Sequence, residues 1–354
     1  MSGTSSPMAQ LVARINGADE DTVQEARRTA GVGASEIAAV LGLSKWQSEL
    51  GLYAAKRGEV ERWRGNEATN WGKRLEHVIV GHRAEIAARH GRSVVQPWRI
   101  YRSLRNPDMT CSPDALEYPL TATVDLDAPP PPVCLDDAKT ADAYDERAWR
   151  QRIPVQYVLQ VQYGAHVLGA PTVALDVLFG GNRPQRFEFE TDPELGEMLS
   201  AAATQFMDRV REGRPPAAQH DHPGTAELLA QMHRGVPGEK KALPAELVRE
   251  LMDLRALQEQ QSWVKAEIDA SRNRIREFLG DGTEGYVTVD GKPLTLVTWS
   301  AAKDSIDIDM KALREQHPHL YRMVETRVGR PAARSTRMSI RAKALDKIPN
   351  PKEK

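Results

Sequence analysis

The feature that most constrains this chain is a proline corner followed, after a loop, by an acid-x-lysine strand. The corner is Thr110-Cys111-Ser112-Pro113-Asp114, and the strand is Leu135-Asp136-Asp137-Ala138-Lys139-Thr140. Val133 to Leu135 reads as the start of a buried strand, and side chains two apart on a strand share a face. Asp137 and Lys139 are therefore expected to point together at whatever Asp114 points at, with Asp136 on the other side. Two carboxylates can hold Mg²⁺ through oxygen ligands, with waters and phosphate oxygens filling an octahedral shell. A lysine beside them can orient or deprotonate a water, or offset charge that develops on a phosphate. Read locally, the same residues also fit a solvated strand end, because Pro-Asp is a common turn.

The 354 residues are too many for one compact core and imply two domains. A hydrophobic fraction of 40% supports globular folding, and a net charge of −1 does not advertise nucleic-acid binding. Any contact with DNA must then come from local basic clusters. Cys111 and Cys134 are the only cysteines, which points to a reducing cytoplasm and excludes a cysteine-built zinc or iron–sulfur site. The pairs His220/His222 and His317/His319 read as solvated. No apolar run reaches membrane-spanning length, and the N-terminus lacks an export layout.

Residues 1–20 read as loosely ordered with a short amphipathic piece, Gln10 to Ile15. A helix over Asp19 to Arg28 leads to Gly31-Val32-Gly33-Ala34-Ser35, a turn that opens a second helix. Such a turn offers backbone N–H groups to an anion, and Arg28 can close on the same anion; a plain helix cap is the equally simple alternative. A long helix is expected over Glu67 to Arg89, with Trp71, Leu75, Val78, Ile79, Ile86 and Ala87 as its apolar stripe and Glu76 beside it. Strands are expected at 93–95, 98–101, 108–115 and 133–140. The Pro-rich stretch 125–132 cannot join a sheet, and 149–155 reads as a loop. A buried helix follows over Gln156 to Leu168, then strands at 172–179 and 186–190 and a helix over Pro193 to Arg211. The order suits an α/β fold with a central mixed sheet flanked by helices. Residues 214–243 read as a linker with a short helix at 225–233. Beyond it come a long helix to Leu279 with a heptad-like seam, a β-hairpin turning at Asp290-Gly291, a helix over 307–317 and a basic tail from Arg327.

Five blocks in this order resemble the YqaJ family of phage recombination nucleases, relatives of lambda exonuclease within the PD-(D/E)xK nuclease superfamily. They are Val32 to Ile37 with Arg28 upstream, Asn66 to Glu76, Thr110 to Ala115, Leu135 to Thr140, and Tyr157 to Tyr163. The resemblance spans roughly Arg28 to Val210. It implies a nuclease domain over 1–213, the linker 214–243, and a C-terminal helix-plus-hairpin extension over 244–354. It further implies Mg²⁺-dependent digestion of one strand of duplex DNA from a 5′ end, with Mn²⁺ as a substitute. Position by position, Asp114, Asp137 and Lys139 match the catalytic residues, Glu76 the helix glutamate near the metal, and Gln160 the glutamine that completes the site. The Ala138 carbonyl joins Asp114 and Asp137 as a metal ligand. Arg28, Ser35 and Ser112 match a pocket for the terminal 5′-phosphate. A single-strand annealing protein and a ring-shaped homo-trimer are the implied partners. One departure stands out: the family usually has glutamate where this chain has Asp137, a reach shorter by about an ångström. An endonuclease of the same superfamily, or an end-binding protein with a decayed site, are the alternative readings.

Overall fold

The computed structural model describes residues 6–60, 65–233, 235, 238–289, 292–298 and 314–319. The chain divides into two compact units, residues 1–234 and 235–354. The first unit begins β1 (Ala9–Arg14), α1 (Glu20–Thr29), β2 (Val32–Gly33), α2 (Ile37–Val40), α3 (Glu49–Arg57) and α4 (Glu67–Arg89). It continues through β3 (Arg92–Val95), β4 (Arg99–Ser103), β5 (Met109–Cys111), β6 (Ala115–Pro119), β7 (Cys134–Ala141), α5 (Glu146–Gln151) and α6 (Val155–Leu168). β8 (Thr172–Phe179), β9 (Arg183–Glu190), α7 (Pro193–Glu212) and α8 (Thr225–Met232) complete it.

Two sheets carry the strands. The larger has the order β3-β6-β7-β8-β9 and the smaller β1-β4-β5-β2. In the larger sheet only β7 and β8 run parallel, joined through α5 and α6, and the other pairs are antiparallel. This is the mixed α/β core expected from the sequence. Its core is built from Leu116, Leu135, Val161, Tyr163, Val173, Leu175 and Phe206, all nearly inaccessible.

Several local expectations are corrected. Residues 9–14 form a strand paired to β4 rather than a loose segment. The single strand expected over 108–115 is two strands in different sheets, separated by the Ser112–Asp114 corner. Pro113 has no N–H to give a ladder, so pairing stops there and the chain crosses between sheets. Residues 146–151 are helical, not a loop, and Trp149 is buried among Tyr157, Phe179 and Phe187. On α4 the buried residues are Ile79, Val80 and Ala87, whereas Trp71 and Val78 are exposed. The Pro-rich loop stays out of the sheets but is tied down. Tyr101 and Tyr118 donate to the carbonyls of Leu126 and Pro130. α8, inside the stretch expected as a linker, buries Thr225 and Leu228 on the first unit. His222 is not simply solvated, since its ring meets the Ser44 carbonyl at 3.2 Å.

In the second unit α9 (Ala245–Leu279) precedes the hairpin β10 (Glu284–Val289) and β11 (Lys292–Thr298). None of the described residues of α9 is buried, and along its heptad-like seam they are exposed or half-buried. The hairpin's Asp290-Gly291 turn, most of the helix expected over 307–317 and the basic tail lie outside the described residues.

Candidate active site

The site forms where β6 begins beside the middle of β7. Ala115 pairs with Asp136 across the antiparallel ladder, so the preceding residue, Asp114, stands opposite Asp137. β6 has not yet started there, and the edge of β7 lacks a strand partner. Asp114 supplies one: its Oδ2 accepts the Ala138 N–H at 2.8 Å. Pleating then turns Asp137 and Lys139 to one face and Asp136 to the other. Asp137 is 3% exposed, and its Oδ2 lies in an ion pair with the Lys139 ammonium.

α6 covers that face. Gly164 passes so close that a side chain there would come within 3.0 Å of Leu135, and one turn earlier Gln160 donates to Asp137 Oδ1 at 2.9 Å. Tyr157, a further turn back, sets its ring 5.5 Å from Lys139 Nζ. α4 brings Glu76, which accepts from Gln96 Nε2 at 2.8 Å. The structure brings Asp114, Asp137, Lys139, Glu76 and Gln160 together. Gln96 and the contact of Tyr157 with Lys139 were missed. Gln96 carries no local signal, while Tyr157 stands three residues before Gln160 on the same helical face.

The electrostatics are lopsided. Burial pushes the Asp114 carboxyl well above its ordinary range, and the charges of Asp137 and Glu76 push it further than Lys139 and the Ala138 N–H can offset. Burial likewise raises Glu76, helped by Asp137 and opposed by Gln96 and Lys139. Burial pulls Lys139 down, but Asp137 and Asp114 outweigh it and hold the amine up at about 12. Three acids thus surround Lys139, with Arg27 acting on Glu76 from further off. Such an excess of buried carboxylates is a fit for a hard divalent cation.

The expected phosphate pocket is only partly assembled. β2 and β5 run parallel with Gly33 beside Thr110, so Ser35 and Ser112 follow two residues later at the same end of neighbouring strands. Arg28 instead bonds Glu25 twice, at 2.7 and 2.5 Å, and the Lys56 carbonyl at 2.9 Å. The turn's N–H groups are also partly taken. Gly33 N–H donates to Glu36 Oε2 at 2.7 Å, and Val32 N–H to the Asp108 carbonyl at 2.8 Å. Gly31 must be glycine, since φ is +128° and a Cβ would sit 2.5 Å from the Asp108 carbonyl oxygen. Lys56, buried and unremarked in the sequence, pins the turn by donating to the Arg27 and Gly31 carbonyls at 2.9 and 2.7 Å and pairing with Glu36 at 2.6 Å.

Comparison with known proteins shows what the chain is similar to. Residues 25–171 match the model of the YqaJ-like viral recombinase domain. A Bacillus subtilis (strain 168) protein described as uncharacterized protein YqaJ is 28% identical over 308 residues, covering 84% of this chain and 88% of that one. Among solved structures, an alkaline exonuclease from Laribacter hongkongensis is 16% identical, with 55% of this chain and 94% of that one covered and a TM-score of 0.42. Its complex with dAMP has the same identity and coverage and a TM-score of 0.43. Every expected site residue, from Arg28 to Gln160, falls inside the segment that resembles the YqaJ-like viral recombinase domain.

Proposed function

We propose that this chain is a Mg²⁺-dependent 5′-to-3′ exonuclease acting on double-stranded DNA ends, leaving 3′ single-stranded overhangs for recombination by strand annealing. The observation that carries the reading is the convergence of Asp114 and Asp137 beside Lys139, locked by the Ala138 N–H and Gln160. Asp114, Asp137 and the Ala138 carbonyl would hold the metal, with Glu76 reaching it through water. When bound, Mg²⁺, or Mn²⁺ in its place, supplies charge stabilisation at the phosphate and lowers the pKa of an attacking water.

The chain's own residues do the positioning. Gln160 keeps Asp137 turned inward, and Asp114 keeps the free edge of β7 fixed. Lys139, paired with Asp137, would position the attacking water or offset charge on a phosphate oxygen. Arg28 would grip the terminal 5′-phosphate with Ser35 and Ser112. Its present partner Glu25 is 59% exposed at the side chain, and an exposed pair contributes only about 0–1 kcal/mol. A phosphate dianion that accepts charge-assisted bonds can displace it.

The nuclease domain is proposed to occupy residues 1–213, followed by a linker over 214–243 and the extension over 244–354. A single-strand annealing protein, a homo-trimer and a cytoplasmic location belong to the same proposal. No described helix is long and apolar enough to cross a membrane. The test is an end-labelled linear duplex with a 5′-phosphate, incubated with and without Mg²⁺ beside a closed circular control. Loss of the 5′-phosphorylated strand only with metal, and an intact circle, is the expected result. Cutting of the circle, or no hydrolysis with Mg²⁺ or Mn²⁺, overturns the reading.

A further inference from the structure

The loop between α2 and α3 carries a feature that this reaction leaves unused. Trp46 is 60% exposed, yet its backbone is firmly held. Ser44 Oγ accepts the N–H groups of Trp46 and Gln47, each at 3.2 Å. Ser48 caps α3 by accepting the Gly51 N–H at 3.1 Å. The segment after α7 braces the loop from outside, with Gln219 accepting the Glu49 N–H at 3.2 Å and His222 at the Ser44 carbonyl.

A single exposed apolar side chain is ordinary. Two further observations set this one apart. The Trp46 ring lies 6.2 Å from Tyr157, the ring that contacts Lys139. Tyr157 is itself stacked on buried Trp149 at 5.2 Å and 22°, so the aromatic series runs from the core past the site lysine to solvent. Lys45 Nζ also sits over the Trp46 ring at 4.9 Å. An exposed indole covered by the end of a flexible lysine, next to the ring that contacts Lys139, matches what an unpaired nucleotide needs. The base stacks on the ring and its phosphate meets the ammonium.

We propose that Trp46 is a substrate-binding residue that stacks on an unpaired nucleobase of the strand held at Asp114, Asp137 and Lys139, with Lys45 meeting that nucleotide's phosphate. The proposal rests on the nuclease reading and adds to it a means of gripping the strand independent of base identity, because every base has a π face. The loop's hydrogen bonds spare the indole most of the ordering cost on binding.

The experiment uses the full chain and a fluorescein-labelled, 5′-phosphorylated duplex. Affinity is read by anisotropy in EDTA, and KM and kcat are read with Mg²⁺. A second series carries one abasic site at successive positions from the 5′ end. Trp46→Ala is expected to weaken binding and raise KM by roughly five- to 150-fold, with a smaller change in kcat, while Trp46→Phe recovers most of the loss. One abasic position should weaken the wild-type protein by a similar factor and leave Trp46→Ala unaffected, because the two changes remove one contact. Unchanged affinity and KM in Trp46→Ala overturns the proposal. So does the absence of any position-dependent abasic loss with the wild-type protein, a readout that needs no variant to fold. Loss of self-association in Trp46→Ala at unchanged DNA affinity also overturns it, making Trp46 a subunit contact. Wild-type protein that binds the duplex in EDTA but never hydrolyses it sinks the nuclease reading alone, and the stacking is still decided by the metal-free titration.

Discussion

Asp136 and Asp137 are neighbours with the same side chain, and β7 turns them into opposite environments. Behind Asp136 lie Glu117 and Asp176, and three guanidiniums answer them. Arg83, Arg92 and Arg186 bond Glu117 at 2.6, 2.9 and 3.1 Å. Arg186 also reaches Asp136 at 3.1 Å and Asp176 at 2.9 Å. Behind Asp137 lie Asp114 and Glu76, answered by Lys139 at contact and by Arg27 acting on Glu76 at longer range. Ligand atoms of Glu117, Cys134 and Asp136 come within 4.8 Å of one another, a spacing that could hold an ion. We read this cluster as architecture, because guanidiniums already meet both carboxylates and burial keeps the Cys134 thiol protonated. Arginines bonded to the carboxylates fasten the sheet on one face, whereas no arginine bonds Asp114 or Asp137 on the other among the described residues.

The comparison breaks first on substitution. Asp114→Asn should reduce Mg²⁺-dependent digestion by roughly 10³-fold or more, while urea unfolding stays level or shifts to higher denaturant because like-charge repulsion is relieved. On the other face, Glu117→Gln should cost about 3–5 kcal/mol of stability, the scale of breaking a buried ion pair. Digestion per folded molecule should hold. If Glu117→Gln leaves the unfolding curve unmoved, the two faces do not differ as argued.

Acid should find the Glu117 face. Burial pushes that carboxyl up, but the hydrogen bonds of Arg83 and Arg92 and the charge of Arg186 outweigh it and hold it at about 2, against an ordinary 4.5. A depressed folded value means its stabilisation is complete above pH 4.5 and fades as pH falls toward 2. Melting temperatures between pH 5 and 2 should fall more steeply in the wild-type protein than in Glu117→Gln. The smallest effect belongs to Gln160→Ala, which frees Asp137 to turn without removing a ligand. Activity should drop about 10–100-fold, and the Mg²⁺ concentration for half-maximal rate should rise.

Periodicity was enough for the parts of the site that lie on regular elements. Alternation along β7 separates Asp136 from Asp137, and a helix from 156 to 168 is needed to present Gln160. It was not enough where chain segments meet from far apart. Lys56, which carries no local signal in the sequence, is the pin of the Gly31 turn because α3 packs against α1. Arg28 is tied to Glu25, three residues before it on α1, a pairing that helical spacing allows but does not require. The strand expected through 108–115 hid the sheet switch at Pro113, because which strands β5 and β6 pair with is set by β4 and β7, far off in the chain.

By itself the sequence determined which residues could share a face, where proline forbids pairing and where only glycine fits, since these follow from bond geometry within a few residues. Tertiary structure alone decided which of two adjacent aspartates meets an arginine and which meets a lysine. Charge balance in a buried cluster depends on side chains contributed by β6, β8, β9, α4 and α6, and no short stretch of chain contains them.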